Sequence, residues 1–157
     1  MNPFKTSFNF LIPVLRIAFV LFFVGACAFI FDARSLMLLG IGGIVLIAVA
    51  RGFIKTTKNY TITEKYIEEK NYLTMSTECI DKSEIKGFSS SYQKYRFWDF
   101  EMLIIYLVNG KKIHLVQHTY FNFKDIEPAL LACKYTYLGH EPYSNEIGIG
   151  RVYKFDN

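Results

Sequence analysis

His114 and His118 stand four positions apart, a spacing that brings two imidazoles onto one metal ion when the segment is helical. The alternating residues around them predict a strand instead, and four residues of strand separate the rings by about 13 Å. Each is expected on a solvated strand face shared with Lys112, and His140 stands alone beside Glu141. Cys27, Cys79 and Cys133 are far apart, show no CxxC spacing and read as buried free thiols, in weak agreement with a reducing compartment. Ser89-Ser90-Ser91 has no histidine or acid nearby in a nucleophile arrangement and reads as a polar strand face. Gly148-Ile149-Gly150 follows no strand–helix unit and lacks a third glycine, so it predicts a turn and no nucleotide site. No catalytic, metal-binding or cofactor-binding residues are therefore expected, and the chain is not expected to be an enzyme.

The segment dense in both aromatic and basic residues is residues 92–100, the connection between two expected strands. Lys94, Arg96, Phe97 and Trp98 within it are the candidate interaction loop, because aromatic rings and cations together suit a headgroup surface or a protein groove. The competing reading folds Phe97, Trp98 and Phe100 inward to close one end of the core.

Two unlike parts of the chain must position these groups. Residues 1–58 carry six Lys/Arg against one acid, while residues 59–157 carry twelve against thirteen. The net charge of +4 thus belongs to the N-terminal part, which argues against a nucleic-acid partner for the folded module. Residues 11–31 and 36–50 are apolar runs separated by Asp32-Ala33-Arg34-Ser35, and they predict a two-helix transmembrane hairpin in contact with the lipid bilayer. Lys5, Arg16, Arg51, Lys55 and Lys58 flank the hairpin, against Arg34 in its turn. That bias predicts a multi-pass protein of the cytoplasmic (inner) membrane with both termini cytoplasmic. A lipobox-like cleavage at Val24-Gly25-Ala26-Cys27 and a re-entrant hairpin are the alternatives.

Beyond residue 58 short alternating segments predict antiparallel strands. The strongest is residues 101–108, with Met102, Ile104 and Tyr106 facing one way and Leu103, Ile105 and Leu107 the other, as a central strand covered on both faces would have. Asn109-Gly110 then predicts a hairpin with positive φ at both turn positions. Ile126, Leu130, Cys133 and Tyr137 mark one face of a helix that Asp125 begins and Gly139 ends. The organisation expected is residues 1–58 as hairpin, 59–140 as a mostly antiparallel α+β domain and 141–157 as a polar tail, with the fragment from residue 59 onward folding by itself.

Tyr60-Thr61-Ile62-Thr63-Glu64, the pair Ile80 and Ile85, the Asn109-Gly110 hairpin and Asn122-Phe123-Lys124-Asp125-Ile126 through Leu130 resemble the bacterial pleckstrin-homology-like (bPH) domain family of membrane proteins. The resemblance implies a sandwich or barrel with a C-terminal helix, acting as a non-catalytic binding or scaffolding module. Glu64, Glu68 and Glu69 around Lys65 and Lys70 depart from the basic loop of inositide-binding relatives. A protein partner, either a membrane complex or a second copy, is expected. The alternative is an accessory subunit whose helical hairpin binds a larger membrane protein.

Overall fold

The computed structural model describes residues 3–30, 43–44, 47–48, 51–52, 57–94, 98–146 and 150–155. Strand β1 (Phe4–Lys5) precedes helix α1 (Leu11–Ile30), and β2 (Lys58–Ile62), β3 (Tyr66–Asn71) and β4 (Thr77–Asp81) complete an antiparallel sheet in the order β1-β2-β3-β4. Side chains set its turns. Thr63 Oγ1 accepts from Tyr66 N and donates to Tyr66 O, closing the β2–β3 turn. Asn71 Oδ1 accepts from the amides of Leu73 and Thr74 at the β3–β4 turn.

The second sheet holds β5 (Ile85–Lys94), β6 (Asp99–Leu107), β7 (Lys112–Val116) and β8 (Tyr137–His140) in the order β7-β6-β5-β8, with β8 parallel to β5. A bulge at the start of β5 centres on Gly87 (φ 156°), where a Cβ would stand 2.6 Å from the Thr136 carbonyl oxygen. Glycine there lets β8 approach. The Asn109-Gly110 hairpin forms, but Gly110 alone has positive φ (81°). Leu107 O accepts from Gly110 N, and Asn109 Oδ1 accepts from Lys111 N. The connection is thus a three-residue loop in which glycine takes the left-handed position.

Both faces of β6 are covered. Leu103, Ile105 and Leu107 enter the main core with Tyr60, Ile62, Ile67 and Ile80 from the first sheet, Phe8 from the segment between β1 and α1, and Ile126 and Leu130 from the C-terminal helix. Met102, Ile104 and Tyr106 form a second cluster beneath Leu138, Tyr153 and Phe155. The tail therefore contributes packing: β9 (Ser144–Glu146) pairs with β10 (Gly150–Val152), and the residues after β10 lie on the second sheet's outer face. The C-terminal helix, α2 (Ile126–Ala132), is shorter than the apolar spacing predicts. Lys134 adopts φ 59°, and the Lys134 and Tyr135 amides donate to the Leu131 and Leu130 carbonyls, the Schellman termination. Tyr137, read from the sequence as helical, and Gly139, read as the helix's end, consequently belong to β8.

The N-terminal segment is stitched into this domain. Thr6 Oγ1 accepts from Tyr60 N, Phe8 bridges to Tyr120, and Asn122 binds the backbone of both Lys5 and Ser7. Residues on both sides of α1 thus build one core.

The two-helix transmembrane hairpin is corrected. Its turn and most of its second run lie outside the described residues, and among the described residues no helix is long and apolar enough to cross a membrane. Pro13 and Arg16 occupy the first two turns of α1. The uncharged, proline-free stretch that follows, residues 17–30, is about 21 Å long against about 30 Å of hydrocarbon. The sequence reading counted the whole run by letting Arg16 reach the headgroups. The transmembrane hairpin, the multi-pass inner-membrane placement and the cytoplasmic termini deduced from it are therefore withdrawn. The β-rich domain stands, and α1 leaves it with Val14, Leu15, Phe19 and Phe22 exposed.

Candidate functional site

Of the expected interaction loop, Lys94 ends β5 and Trp98 immediately precedes β6. Lys94 pairs with Asp99, and its ammonium group lies 5.8 Å from the centre of the Tyr92 ring. Trp98 is 69% exposed, so it does not turn inward to close the core. Arg96 and Phe97 lie outside the described residues. Phe100 meets His118 edge-on at 4.8 Å. His114 instead stacks on Tyr153, so the two histidines turn to different partners.

A second cluster joins residues that the sequence keeps apart. Parallel pairing brings β8 beside the serine run of β5, and Glu141, the next residue along, is 1% exposed. Its Oε2 accepts from Ser89 Oγ (3.1 Å) and from the Tyr106 hydroxyl, and its Oε1 accepts from Lys154 N at 2.7 Å. Ser91 Oγ donates to the Glu141 carbonyl, and the Arg151 guanidinium donates to Ser91 Oγ and to the Tyr92 carbonyl. Desolvation raises the Tyr106 pKa, and the hydrogen bond to Glu141 and that residue's charge raise it further. Tyr106 is thus held as a neutral donor.

This arrangement fastens the tail: each Glu141 carboxylate oxygen accepts from at least one donor, Oε2 from β5 and β6 and Oε1 from the backbone of Lys154. His140 Nδ1 lies 3.3 Å from Ser90 Oγ, but that oxygen also lies 2.7 Å from the Tyr137 hydroxyl. Among the described residues no group of three or more His, Cys, Asp or Glu is placed to hold a metal ion. Cys79 is exposed and Cys133 buried, and both are free.

Around Tyr153 the outer face carries a different chemistry. Tyr106 pairs with Lys112 and Ile104 with His114, so Lys112 and His114 project on the side that the tail crosses. The Tyr153 hydroxyl lies 3.2 Å from His114 Nε2, Lys112 Nζ is 4.6 Å from the Tyr153 ring centre, and the Arg151 guanidinium carbon is 5.3 Å from it. Desolvation, then the charges of Arg151 and Lys112, lower the His114 pKa against the opposing pull of Glu141.

Sequence reasoning missed this grouping because its members come from β5, β6, β7 and the tail. The available signal was the lone Glu141 in a segment rich in aromatic residues, together with serines at alternate positions of a strand. No family model matches the chain, and neither does any curated protein or solved structure.

Proposed function

We propose that the chain is a non-catalytic binding or scaffolding module of the pleckstrin-homology-like kind, engaging a protein partner through the β5–β6 connection. Two antiparallel meanders, β2-β3-β4 and β5-β6-β7, followed by α2, support the module reading. The observation that carries the binding role is Trp98, the chain's one tryptophan, exposed just before β6 and next to Asp99, which pairs with Lys94. Tryptophan is rarely left in water without use and is enriched where interfaces concentrate their energy.

A photo-crosslinking residue at position 98 of the full-length chain, activated in cells, should give a discrete adduct. The same residue at Val108, exposed at the opposite end of β6, should not. The adduct's mass distinguishes a second copy from another protein. Equal capture from both positions, or none from 98, would overturn this reading. The exposed Phe19 and Phe22 favour a second one, in which the chain is an accessory subunit whose α1 packs against a partner helix. Capture from position 19 and not from 98 would select it.

A further inference from the structure

We propose that the outer edge of β4 takes up an extended, lysine- or arginine-bearing segment of a protein partner as one more strand of the first sheet. Trp98 adjoins the second sheet, so this surface goes beyond the binding role assigned to the β5–β6 connection.

The backbone carries the argument. β4 ends the order β1-β2-β3-β4 and, among the described residues, pairs with β3 alone. Asn71 N donates to Ser76 O before β4 begins, and Lys82 N donates to Lys65 O after it ends. Antiparallel alternation between those two bonds turns the amides and carbonyls of Glu78 and Ile80 toward β3. Thr77 and Cys79 therefore turn both of theirs away from β3, and Asp81 turns its amide the same way. Thr77, Glu78, Cys79 and Asp81 are all exposed. An open edge of this kind is a template for another strand, and sheets recruit extended peptides along it. The usual obstructions are missing: β4 has no proline, no lysine and no bulge in its pairing with β3.

Charge decides the occupant. Glu78 and Asp81 stand on β4, Glu68 lies opposite Cys79 on β3, and Glu84 follows in the corner after β4. Desolvation raises the Cys79 pKa, and the charges of Asp81, Glu68 and Glu84 raise it further, so their field converges on the middle of the edge. The cations nearby are placed elsewhere. Lys70 of β3 stands opposite Thr77, at the other end of the edge, and Lys82 donates to the Cys133 carbonyl. Lys111 meets Glu78 at 3.1 Å, in an exposed pair that a competing cation can replace. A second copy's β4 would set the same carboxylates against each other, and like charges across a strand pair repel. A segment with cations at alternate positions sets opposite charges there instead.

The test titrates the full-length chain with the peptide acetyl-Lys-Val-Lys-Val-Lys-amide, followed by NMR of the backbone amides, with acetyl-Glu-Val-Glu-Val-Glu-amide as control. The lysine peptide should bind saturably, about tenfold or more tighter than the glutamate peptide, and should slow hydrogen exchange at Thr77 and Cys79 by about tenfold or more. Cys79→Pro removes an outward N–H and no bond to β3, and should weaken binding by about tenfold. A lysine peptide methylated at every backbone nitrogen keeps the charges and loses the donors, so it should not bind, and it tests the same bonds even if the proline loosens the fold. Asp81→Lys, at a side chain that makes no cap hydrogen bond to the turn that follows, should weaken the lysine peptide by about fivefold. The proposal is overturned if the lysine peptide does not bind, if the methylated or glutamate peptide binds as tightly, or if Thr77 and Cys79 gain no protection. It is also overturned if these amides are already protected in a self-associated free chain, which would make a second copy the occupant.

Discussion

The hydroxyl of Ser89 donates to Glu141 Oε2 over 3.1 Å, joining the middle of β5 to the residue that follows β8. Because the same carboxylate accepts from Tyr106 and from the backbone of Lys154, one buried side chain ties two strands to the tail.

Removing it should therefore loosen more than its own position. Glu141→Ala leaves Ser89, Tyr106 and Lys154 N without their acceptor, at an expected cost of about 2–4 kcal/mol in urea unfolding. Ser89→Ala, which leaves the carboxylate two other donors, should cost about 1 kcal/mol. In the Glu141 variant the tail should also become cleavable by protease under native conditions. A Glu141→Ala midpoint equal to the parent's would show that the carboxylate does not hold the tail.

Stability should fall steeply at alkaline pH. Tyr60, Tyr106, Tyr120 and Tyr135 all have raised phenol pKa values with burial as the leading cause, and Tyr135 is pushed up to about 12. Unfolded phenols titrate near pH ~10, so above that point the unfolded chain sheds protons that the folded chain keeps. The stabilisation is fully present below pH ~10 and is lost as pH climbs through the folded values. Urea midpoints should hold from pH 7 to 9 and drop by pH 11. Tyr135→Phe should flatten part of that drop while losing the 2.9 Å hydrogen bond to the Thr63 carbonyl at every pH.

What the sequence disclosed depended on how local the signal was. The two faces of β6 were legible because alternation of Met102, Ile104 and Tyr106 with Leu103, Ile105 and Leu107 is a property of consecutive residues. Gly110 likewise announced its turn, although the turn type differs from the two-residue form. The end of α2 was not legible: Cys133 and Tyr137 keep helical spacing, yet Lys134 takes a left-handed conformation that nothing in its side chain requires. The Glu141 cluster was hidden for another reason. It depends on β8 pairing parallel with β5 across about 50 residues of chain, and parallel register leaves no mark in either strand alone. Residues 11–31 and 36–50 read as spans on apolar composition, and the first reaches full length only if Arg16, in the second turn of α1, is carried to the headgroups.

The N-terminal strand makes a prediction that opposes the expectation of an independent C-terminal fragment. Phe8 is buried at 4% exposure in the main core, and Thr6 both accepts from Tyr60 N and donates its own amide to Tyr60 O. A fragment of residues 57–157 forfeits about 2–3 kcal/mol from Phe8 alone and exposes the edge of β2. Its thermal transition should be lower and broader than that of the full chain, and a peptide of residues 3–10 added in trans should raise it. A fragment as stable as the full chain would mean that β1 and Phe8 contribute nothing to the fold.

Trp98 should be thermodynamically quiet. A tryptophan packed in a core costs about 3–5 kcal/mol when truncated, whereas an exposed one away from caps and cavities stays within about 0.5 kcal/mol. With 69% of its surface in water, Trp98→Ser belongs to the second class, and its urea midpoint should match the parent's. The parent's fluorescence, which comes from this one indole, should be red-shifted and quenched readily by iodide. Paired with the crosslinking result, this separates the two roles that the 92–100 segment offers. Loss of capture with unchanged stability places the function in the β5–β6 connection, because the side chain then serves a surface the chain does not itself supply. A loss of several kcal/mol would instead make Trp98 part of the domain's own packing and remove that connection as the binding element.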